Sequence, residues 1–577
     1  MPPPASFDSV VLAAVAQELR ALLPLRVTRV LQPGPLEVVL SIRAPGVRGL
    51  LLSADARWYR IHLLRALPER EAPGPLGQLL RARLVDARIL GVHQPPYERV
   101  LELEIEALDG PYRLVAELMG KHANLVVVRE GLVLGCAKAI GPDQSRVRTV
   151  LPHAPYTPPP PDPRPHPGTI TPEALAEALQ TTQGPLWRRV LAAVAGIGPL
   201  LSYELASRSA DPEATELLPD VPERLHAELA ALHERVRSGA FEPRLYRLDA
   251  KPVAYAPFPL TCMAGPVEIP TSMSEAVDQV VSHRAALDQL EEERTRLLRV
   301  VRSAVARTQR ALEEAEQALA EAEGADRMRM AGEILLAHAS RIPAGMDRVT
   351  LPDYEGRPME IALEPDLDAV RNAQRLFRRY AKLRAARQNL SQRIPALREQ
   401  LERLEELRVH LEHAQTPEDL LELQEELVEA GILRPPQKRP RGRPVSEPRT
   451  FQVDSFQVLV GRSSRDNDHL TFRVAGPEDL WLHARGISGA HVILRTGGRT
   501  PPEEVVRKAA QIAAYFSAGR SSTAVEVDVT ERRWVSKPKG ARPGRVLYRN
   551  ERTLRVHPGL PEEEERESMG EWGRREP

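Results

Sequence analysis

The chain lacks several features that would assign it to a familiar class. Its 577 residues hold two cysteines, Cys136 and Cys262, so neither a disulfide framework nor a cysteine-based zinc site is expected. Aromatic residues make up 4% of the chain, and lysine is scarce beside arginine. No stretch of about 18 apolar residues predicts a transmembrane helix, and the first residues lack the basic segment of a signal peptide. We therefore expect a cytoplasmic protein with no membrane partner.

The net charge is uninformative, but the distribution of charge is not. Basic and acidic residues number 79 each, so the bulk charge predicts no partner. Six Arg or Lys residues lie between Arg434 and Arg449 against Glu447 alone, and Glu562 to Glu565 form an acidic run. The basic run is interpreted as a linker able to touch phosphates or, equally well, as a solvated tether.

Two long helical runs frame a small insert in the middle of the chain. In the second run a heptad seam is formed by Leu383, Leu390, Ile394, Leu397, Leu401, Leu404 and Leu411, with Arg408 at one missed position. In the first run the seam is formed by Leu287, Leu290, Leu297, Val301, Ala304, Thr308, Ala311, Ala315 and Ala318, interrupted by Arg294. Pro395 is expected to kink the second run or to mark a restart.

The insert between the runs, about 324–367, is rich in proline and glycine, which argues against continuous helix. Two runs of similar length around one insert favour an intramolecular antiparallel hairpin with a tip module over an ordinary bundle or a dimeric coiled coil. About 40 helical residues would make this arm roughly 60 Å long.

The N-terminal part predicts a mixed α/β domain that contains one well-defined hairpin. A helix is expected at 7–23, strands at 27–31, 36–42 and 49–53, and a second helix at 76–84. Apolar and acidic residues alternate from Arg99 to Ala107, and Asp109-Gly110 is a turn signal before the returning strand. A turn centred on that dipeptide places Arg99 opposite Gly120 and Glu98 opposite Lys121.

That register brings Glu98-Arg99 to the same sheet edge as the polar segment Glu117 to Asn124. The segment is too polar for a core, and Gly120 permits close backbone approach. The residues alone leave two interpretations open, a binding site or surface ion pairs of Arg99 with Glu117 or of Glu98 with Lys121.

Two stretches that follow divide the chain further. Nine prolines between Leu151 and Pro167 predict a stiff, extended linker. Gly196-Ile197-Gly198-Pro199 separates short helices, which is the helix-hairpin-helix pattern. The N–H groups of such a turn can hold a nucleic-acid phosphate, although a plain helix connector has the same sequence.

The last domain, about 451–558, is predicted to be a compact basic α/β domain. Between Arg449 and Arg555 it holds 19 Arg or Lys against 11 Asp or Glu. A polar loop at 461–468, the aromatic Trp481, two histidines and the Lys537-Pro538-Lys539 segment are typical of RNA contact, or of an ordinary solvated basic face. The spacing of Asp468, His483 and His491 fits no standard metal-ligand motif, so no metal is expected.

Taken together, these segments resemble the NFACT family, and within it the bacterial RqcH proteins. The resemblance covers nearly the whole chain. It rests on the order of Phe7-Asp8, Arg60-Ile61-His62, Glu98-Arg99, the segment 117–124, Gly332 to Ala337, Arg371-Asn372-Ala373-Gln374, Trp481-Leu482-His483 and Gly489-Ala490-His491.

The resemblance implies a multidomain α+β protein. We expect an NFACT-N domain at 1–165, similar in fold to the N-terminal domain of Fpg-type DNA glycosylases, and a helix-hairpin-helix domain at 166–282. An antiparallel coiled-coil middle domain at 283–433 carries the tip module at about 324–367. A basic linker at 434–450, an RNA-binding NFACT-R domain at 451–558 and an acidic tail at 559–577 complete the chain.

The resemblance also implies a role in ribosome-associated quality control. Such proteins bind a large ribosomal subunit obstructed by peptidyl-tRNA, recruit alanyl-tRNA and promote untemplated alanine tailing, which marks the stalled chain for degradation. The ribosome makes the peptide bond, so no catalytic group and no cofactor are expected. The implied partners are the subunit, both tRNAs and a small RNA-binding protein of the RqcP type, with the protein acting as a monomer on the ribosome.

The expected site residues form two sets. The tRNA-binding set is Glu98, Arg99, Glu117, Leu118, Met119, Lys121, His122 and Asn124. The rRNA-binding set is Arg462, Asn467, Asp468, Trp481, His483, His491, Lys537 and Lys539. One departure from the family concerns the first set, since Glu98 stands where the family usually has Asp, which keeps the charge but adds a methylene and bears on tRNA selectivity.

Two alternative functions come from other classes. A DNA glycosylase would attack with an N-terminal proline, and Pro2 is present, but the acidic motif that should follow it and the zinc-finger cysteines are missing. A fibronectin-binding surface adhesin, from an older family name, would need a signal sequence or a cell-wall anchor, neither of which is found.

Overall fold

The structure is a computed structural model that describes residues 2–69, 71–72, 74–435 and 448–561. It divides into two compact units, Met1–Leu287 and Asp288–Pro577. The expected multidomain α+β class is confirmed, with large antiparallel sheets, a long helical middle part and a C-terminal sheet domain. Within the described residues, no helix is both long and apolar enough to cross a membrane.

The first unit begins with an antiparallel sheet and two helices. The helices are α1 (Ser9–Arg20) and α2 (Pro75–Leu84). The strands are β1 (Leu25–Gly34), β2 (Glu37–Ala44), β3 (Val47–Ser53), β4 (Arg60–Leu64), β5 (Arg88–His93), β6 (Val100–Ala107), β7 (Gly110–Glu117), β8 (Asn124–Arg129) and β9 (Leu132–Cys136). Their order in the sheet is β4-β3-β2-β1-β5-β6-β7-β8-β9.

The predicted β6–β7 hairpin is present, but its register differs by two residues from the prediction. Ala107 pairs with Gly110, so Leu108 and Asp109 form the turn, and Val100 pairs with Glu117. Gly110 has φ 119°, so it follows the turn in a conformation that glycine tolerates. Arg99 therefore lies opposite Leu118 rather than Gly120. A shift of two residues leaves every side chain on its expected face, because strands repeat every two residues.

Four helices and a small sheet complete the first unit. They are α3 (Pro172–Thr181), α4 (Leu186–Ala193), α5 (Pro199–Ser209), α6 (Val221–Ser238), β10 (Arg244–Leu248), β11 (Lys251–Ala256) and β12 (Val267–Glu268). One apolar cluster has members from Ala5 to Val281, so the core continues across residue 165. The domain boundary at that residue stays a prediction.

The middle part is a helical hairpin with a folded insert. Its elements are α7 (Met273–Glu323), α8 (Ala325–Ala337), β13 (Arg348–Pro352), β14 (Pro358–Ala362), α9 (Ala369–Glu412) and α10 (Pro417–Glu429). Contacts of Arg294 with Ala414, Arg302 with Glu412 and Arg398 with Glu316 show that α7 and α9 run antiparallel. Helix α9 continues through Pro395 without a restart.

The seam of the arm is tightest near its base. Leu297, Val301, Leu407 and Leu411 are buried together with three leucines of α10. Leu407 takes the place that the heptad pattern gives to Arg408, which instead pairs with Glu405 at 2.9 Å. Leu287, expected in the seam, is 50% exposed. The seam steps by three residues from Leu404 to Leu407, a local departure from the heptad.

The C-terminal domain is a six-stranded sheet with one long helix. Its elements are β15 (Arg449–Val453), β16 (Phe456–Val460), α11 (Ser464–His469), β17 (Leu480–Ala484), β18 (Val492–Arg495), α12 (Glu503–Tyr515), β19 (Val525–Glu531), β20 (Val535–Ser536), β21 (Leu547–Tyr548) and β22 (Arg552–Val556). The order is β15-β16-β18-β17-β19-β22, while β20 and β21 pair separately. The apolar stripe of α12 packs on the sheet as its spacing predicts. Most of the predicted linker 434–450 and of the tail 559–577 lies outside the described residues.

Candidate nucleic-acid interface

Glu98 and Arg99 lie immediately before β6, after a residue in an unusual backbone conformation. Tyr97 has φ 57°, which a tyrosine adopts only where its surroundings enforce it. Its hydroxyl is 3.1 Å from His233 Nδ1, and its ring stacks on His166 with centroids 4.8 Å apart. The helical part of the unit thus fixes the loop that presents the Glu98-Arg99 pair.

The Arg99 side chain is half-buried and has no fixed partner. The Leu118 N–H donates to the Arg99 carbonyl at 2.7 Å, which places the pair beside the 118–122 segment. No ion pair or hydrogen bond to the guanidinium occurs within the part of the chain that the structure describes. Glu98 Oε1 accepts from the Asp162 N–H at 3.2 Å. The pKa of Asp162 is lowered, chiefly by hydrogen bonding from Arg164 and partly by the charge of Arg99.

The segment from Glu117 to Asn124 divides into a buried and an exposed set. Glu117, Leu118 and Asn124 are fully buried. Lys121 and His122 are exposed and Met119 is half-buried, in a tight turn that follows Gly120 at φ 58°. A buried side chain cannot touch a macromolecule, so direct tRNA contact by the first three residues does not fit this geometry.

Glu117 supports the interface through contacts with two residues that the sequence did not predict as its partners. Arg148 Nη1 donates to Glu117 Oε1 at 2.7 Å, its other amino group pairs with Oε2, and the Tyr156 hydroxyl donates at 3.0 Å. Both partners lie in or near the proline-rich segment, which is therefore packed against the sheet rather than a free linker. No local spacing in the sequence predicts this contact. The single tyrosine in the proline-rich segment is the one feature that points to it.

Asn124 has a similar structural role. Its Oδ1 accepts from the Lys138 N–H and its Nδ2 donates to the Lys138 carbonyl, both at 2.9 Å. The amide thereby makes the hydrogen bonds that a neighbouring strand would otherwise make with the backbone beyond β9. Such a two-sided contact holds the sheet edge on which Lys121 and His122 stand.

In the Gly196-Ile197-Gly198 turn, the Gly198 amide is not offered to a ligand. The Gly198 N–H donates to Asp8 Oδ2 at 2.8 Å, and the Gly196 carbonyl accepts from Ser9. Asp8 also caps α1 by accepting from Val10 and Val11. Burial raises the pKa of Asp8. The turn therefore joins α5 to the start of α1, and the phosphate-holding interpretation is wrong for Gly198.

The Arg60-Ile61-His62 motif is also internal. His62 is fully buried with Nε2 at 3.3 Å from Asp278, and its pKa is lowered by desolvation. Arg60 pairs with Glu37 at 3.2 Å. Both residues fix β4, so they serve the fold rather than a ligand.

In the C-terminal domain, the expected aromatic and imidazole contacts are buried. Trp481 is 1% exposed among apolar side chains, and its ring lies 4.8 Å from Tyr548 and 5.6 Å from His483. His491 is buried and is 2.8 Å from the Thr471 hydroxyl. Burial lowers the pKa of both histidines. Direct RNA contact by Trp481 and His491 does not fit this burial.

The predicted polar loop 461–468 contains the start of α11. Ser463 caps the helix by accepting from the Asp466 N–H at 3.1 Å. Asn467 is buried, where its Oδ1 accepts from the His491 N–H at 3.0 Å. Ser-x-x-Asp before a short helix is a capping pattern, so this helix was readable from the sequence.

Two arginines expected to meet RNA instead hold the domain to the base of the arm. Arg462 and Arg449 both pair with Asp419 of α10, at 3.1 and 3.4 Å. Arg449 is 7% exposed, so it belongs to the folded domain and not to a solvated linker. Arg542 pairs with Glu402 and Glu406 of α9. These cations are already neutralised.

The exposed basic groups lie on another part of this domain. Lys537 is occupied by Asp468, whereas Lys539 is exposed without an ion-pair partner among the described residues. Nearby in the chain, Arg533 and Arg549 lie over the ring of Trp534, at 5.9 and 4.8 Å. The candidate set for phosphate and base contact is thus Lys539 with the Trp534 platform. No group of metal-ligating side chains occurs within residues 2–435 and 448–561 that are described.

Comparison with family models matches two regions. Residues 8–445 match the NFACT N-terminal and middle domains. Residues 449–550 match the NFACT protein RNA binding domain.

Several curated proteins and solved structures are similar to the chain. The Rqc2 homolog RqcH of Bacillus subtilis is 29% identical over 96% of this chain and 98% of its own. The Streptococcus pneumoniae protein of the same name is 31% identical with the same coverage. The C-terminal part of the fibronectin/fibrinogen-binding protein from Streptococcus suis is 31% identical over 47% of this chain and 96% of its own, with a TM-score of 0.36.

Proposed function

We propose that this chain, which belongs to the NFACT family, acts in ribosome-associated quality control in the cytoplasm. In this proposal it binds large ribosomal subunits obstructed by peptidyl-tRNA, recruits alanyl-tRNA and promotes untemplated alanine tailing of the stalled chain. The observation that carries the tRNA part is the Arg99 guanidinium, which has no ion pair among the described residues, on a backbone that is hydrogen-bonded to Leu118 just before the turn that carries the exposed Lys121 and His122.

This arrangement suits recognition of an RNA rather than chemistry on it. A planar guanidinium offers five donors in a fixed fork, and Lys121 adds a cation that needs no particular geometry. Glu98 accepts a hydrogen bond from the Asp162 backbone, which orients its carboxylate. The proposal leaves peptide-bond formation to the ribosome, with a small RNA-binding protein of the RqcP type as a further partner.

For the second RNA contact we propose the exposed surface of the C-terminal domain. Lys539 supplies a phosphate contact, and the guanidiniums of Arg533 and Arg549, which lie over the Trp534 ring, supply planar groups on which an unstacked base can lie. The earlier candidates Arg462, Asn467, Trp481 and His491 are left out of this surface, since they are buried or paired. Asp468 is left out as well, because it pairs with Lys537, and His483 is left out because its ring stacks on the buried Trp481.

The test separates tRNA binding from ribosome binding. Arg99→Ala should still sediment with large subunits but carry roughly a tenth or less of the normal tRNA, because losing such a contact costs about 1–3 kcal/mol. Arg99→Lys should restore little, since an ammonium lacks the fork. The measurement is sequencing and quantification of RNA bound to purified tagged protein.

Arg88→Ala is the matched control. Arg88 is exposed in β5 of the same sheet and pairs in register with Glu106, at the opposite end of β6. Its removal changes the charge of the sheet by the same amount and should leave tRNA recovery unchanged. Normal tRNA on the Arg99→Ala protein, or an equal loss with Arg88→Ala, would refute the assignment of this site.

A further inference from the structure

Helix α9 contains a long segment without a single acidic residue. From Ala369 to Arg398 the chain has no Asp or Glu, whereas its average acidic content would place about four there. The same segment holds nine basic residues: Arg371, Arg375, Arg378, Arg379, Lys382, Arg384, Arg387, Arg393 and Arg398. We call residues 369–398 the basic segment.

Few of these cations are neutralised by the protein itself. Arg371 pairs with Asp368 at 3.9 Å, Arg375 pairs with Glu364, and Arg398 pairs with Glu316 at 2.6 Å. The other six take part in no ion pair within the described chain, and all six are exposed.

The unpaired cations weaken the helix that carries them. Arg378 and Lys382 stand four residues apart, and like charges at that spacing cost about 0.2–0.5 kcal/mol per pair. Nearer the base, α9 balances its charges, since Arg408 lies beside Glu405 and Glu412. The distal half is therefore the part of the arm where charge opposes stability.

Charge complementarity between α7 and α9 explains only part of the excess of basic residues in the basic segment. Opposite the end of the basic segment where Arg398 pairs with Glu316, α7 carries five acidic residues and no basic residue from Ala311 to Glu323. Such a pattern favours the antiparallel register, but Arg398 with Glu316 is the cross-helix ion pair found in this half among the described residues. The outward surface of α9 stays positive, and that of α7 stays negative.

We propose that the basic segment binds the phosphate backbone of an RNA duplex. Arg378 to Arg393 span 15 residues, or roughly 22 Å of helix, which matches a row of phosphates rather than one anion. The segment has two aromatic residues, Phe377 and Tyr380. Both are half-buried in the arm, so stacking of single-stranded bases on them is not favoured. Contact through phosphates alone reads shape and not sequence.

This site uses none of the residues of the Glu98-Arg99 site or of the Lys539 surface, and it extends the proposed function to a third RNA surface. Failure of the two can be told apart, because the basic segment is tested with a synthetic fully paired RNA duplex and no tRNA. The proteins are the full chain, the triple variant Arg379→Gln, Lys382→Gln, Arg393→Gln, and Arg99→Ala.

The expected result is a loss of affinity that depends on salt. Each phosphate contact contributes about 0.7–0.9 to the slope of log affinity against log salt, so the triple variant should lower the slope by roughly two to three. Affinity in low salt should fall at least tenfold, while Arg99→Ala binds the duplex normally. Equal far-ultraviolet circular dichroism of the variants would establish that the arm is still helical.

A second triple variant serves as the control for net charge. Arg43→Gln, Arg48→Gln, Arg88→Gln removes three exposed cations of the N-terminal sheet, and it should leave the slope unchanged. The proposal is overturned if both triple variants lower the slope equally, or if neither does. Binding of polyglutamate with the affinity of the duplex would also overturn it, in favour of an acidic protein partner.

Discussion

Glu117 and Arg148 are the ion pair beneath the candidate tRNA interface, and both are almost excluded from solvent. Their side chains are 0% and 10% exposed, and Tyr156 donates a further hydrogen bond. Two charges buried in this way depend on one another, because either one alone loses its hydration without compensation. The pair therefore supports the position of Lys121 and His122 without touching a ligand.

Replacing Arg148 by Ala should destabilise the first unit strongly. Removing one partner of a buried ion pair costs about 3–5 kcal/mol, since the Glu117 carboxylate is left buried and unpaired. The measurement is hydrogen exchange of the β7 and β8 amides, which should become less protected.

Arg113→Ala is the comparison for that variant. Arg113 of β7, the strand that also carries Glu117, pairs with Glu102 of β6 at 3.2 Å, but its side chain is 43% exposed. Exposed pairs contribute at most about 1 kcal/mol. Equal exchange in the two variants would show that Glu117 and Arg148 are not coupled as described.

At the scale of elements, the arm is fixed by the buried end of its seam. Leu407 is fully buried with Leu297 and Val301, and leucines of α10 close the cluster. The distal seam is looser, because Leu397 and Leu401 are half-buried. The base of α9 should thus be the most protected part of the arm.

Leu407→Ala should loosen the base of the arm. Truncation of a fully buried leucine costs about 2–5 kcal/mol, including the cavity left behind. We expect faster hydrogen exchange in peptides from both α9 and α10. Leu287→Ala, at a seam position that is 50% exposed, should change exchange little. Equal effects of the two substitutions would contradict the three-residue step in the seam.

At the scale of the whole second unit, acidic residues of the arm bind the C-terminal domain. Glu426 of α10 is buried and accepts from the Arg465 N–H at 3.2 Å, while Glu422 accepts from Ser463. Desolvation, together with the charges of Glu406 and Glu422, raises the pKa of Glu426 to about 7. The contact of α10 with α11 therefore responds to pH.

The stability of this contact should fall as pH rises from about 4.5 to about 7. Over that range the unfolded chain releases a proton that folded Glu426 retains, and above it both states are ionised. Glu426→Gln keeps an acceptor for Arg465 without the charge. The variant should be more stable than the parent at pH 8, by about 3 kcal/mol at most, with the difference vanishing near pH 4.5.

Glu425→Gln on the exposed side of α10 is the control for that substitution. Glu425 pairs with Arg465 at 3.3 Å in solvent, so its removal should not change the pH dependence. The measurement is hydrogen exchange of α11 at both pH values. A stability difference for Glu426→Gln that is the same at pH 5 and pH 8 would rule out titration of Glu426.

The sequence by itself determined the order of elements, the antiparallel arm, its insert and the family. Each follows from a period or from spaced motifs, such as the alternation in β6 and the heptads around Leu401, which are local properties of the chain. The sequence also placed Glu98-Arg99 beside 118–122, because a hairpin turn fixes which residues face each other even when its centre is misjudged by one residue.

Only the tertiary structure decided which polar residues are free. Glu117, Asn124 and Asn467 look like surface groups in the sequence, but their partners Arg148, Lys138 and His491 are distant in the chain or come from another strand. Arg462 is likewise neutralised by Asp419 of a different helix. Burial and charge pairing depend on contacts between remote segments, and no local pattern encodes them, because desolvation is set by everything packed around a group and not by its neighbours in sequence.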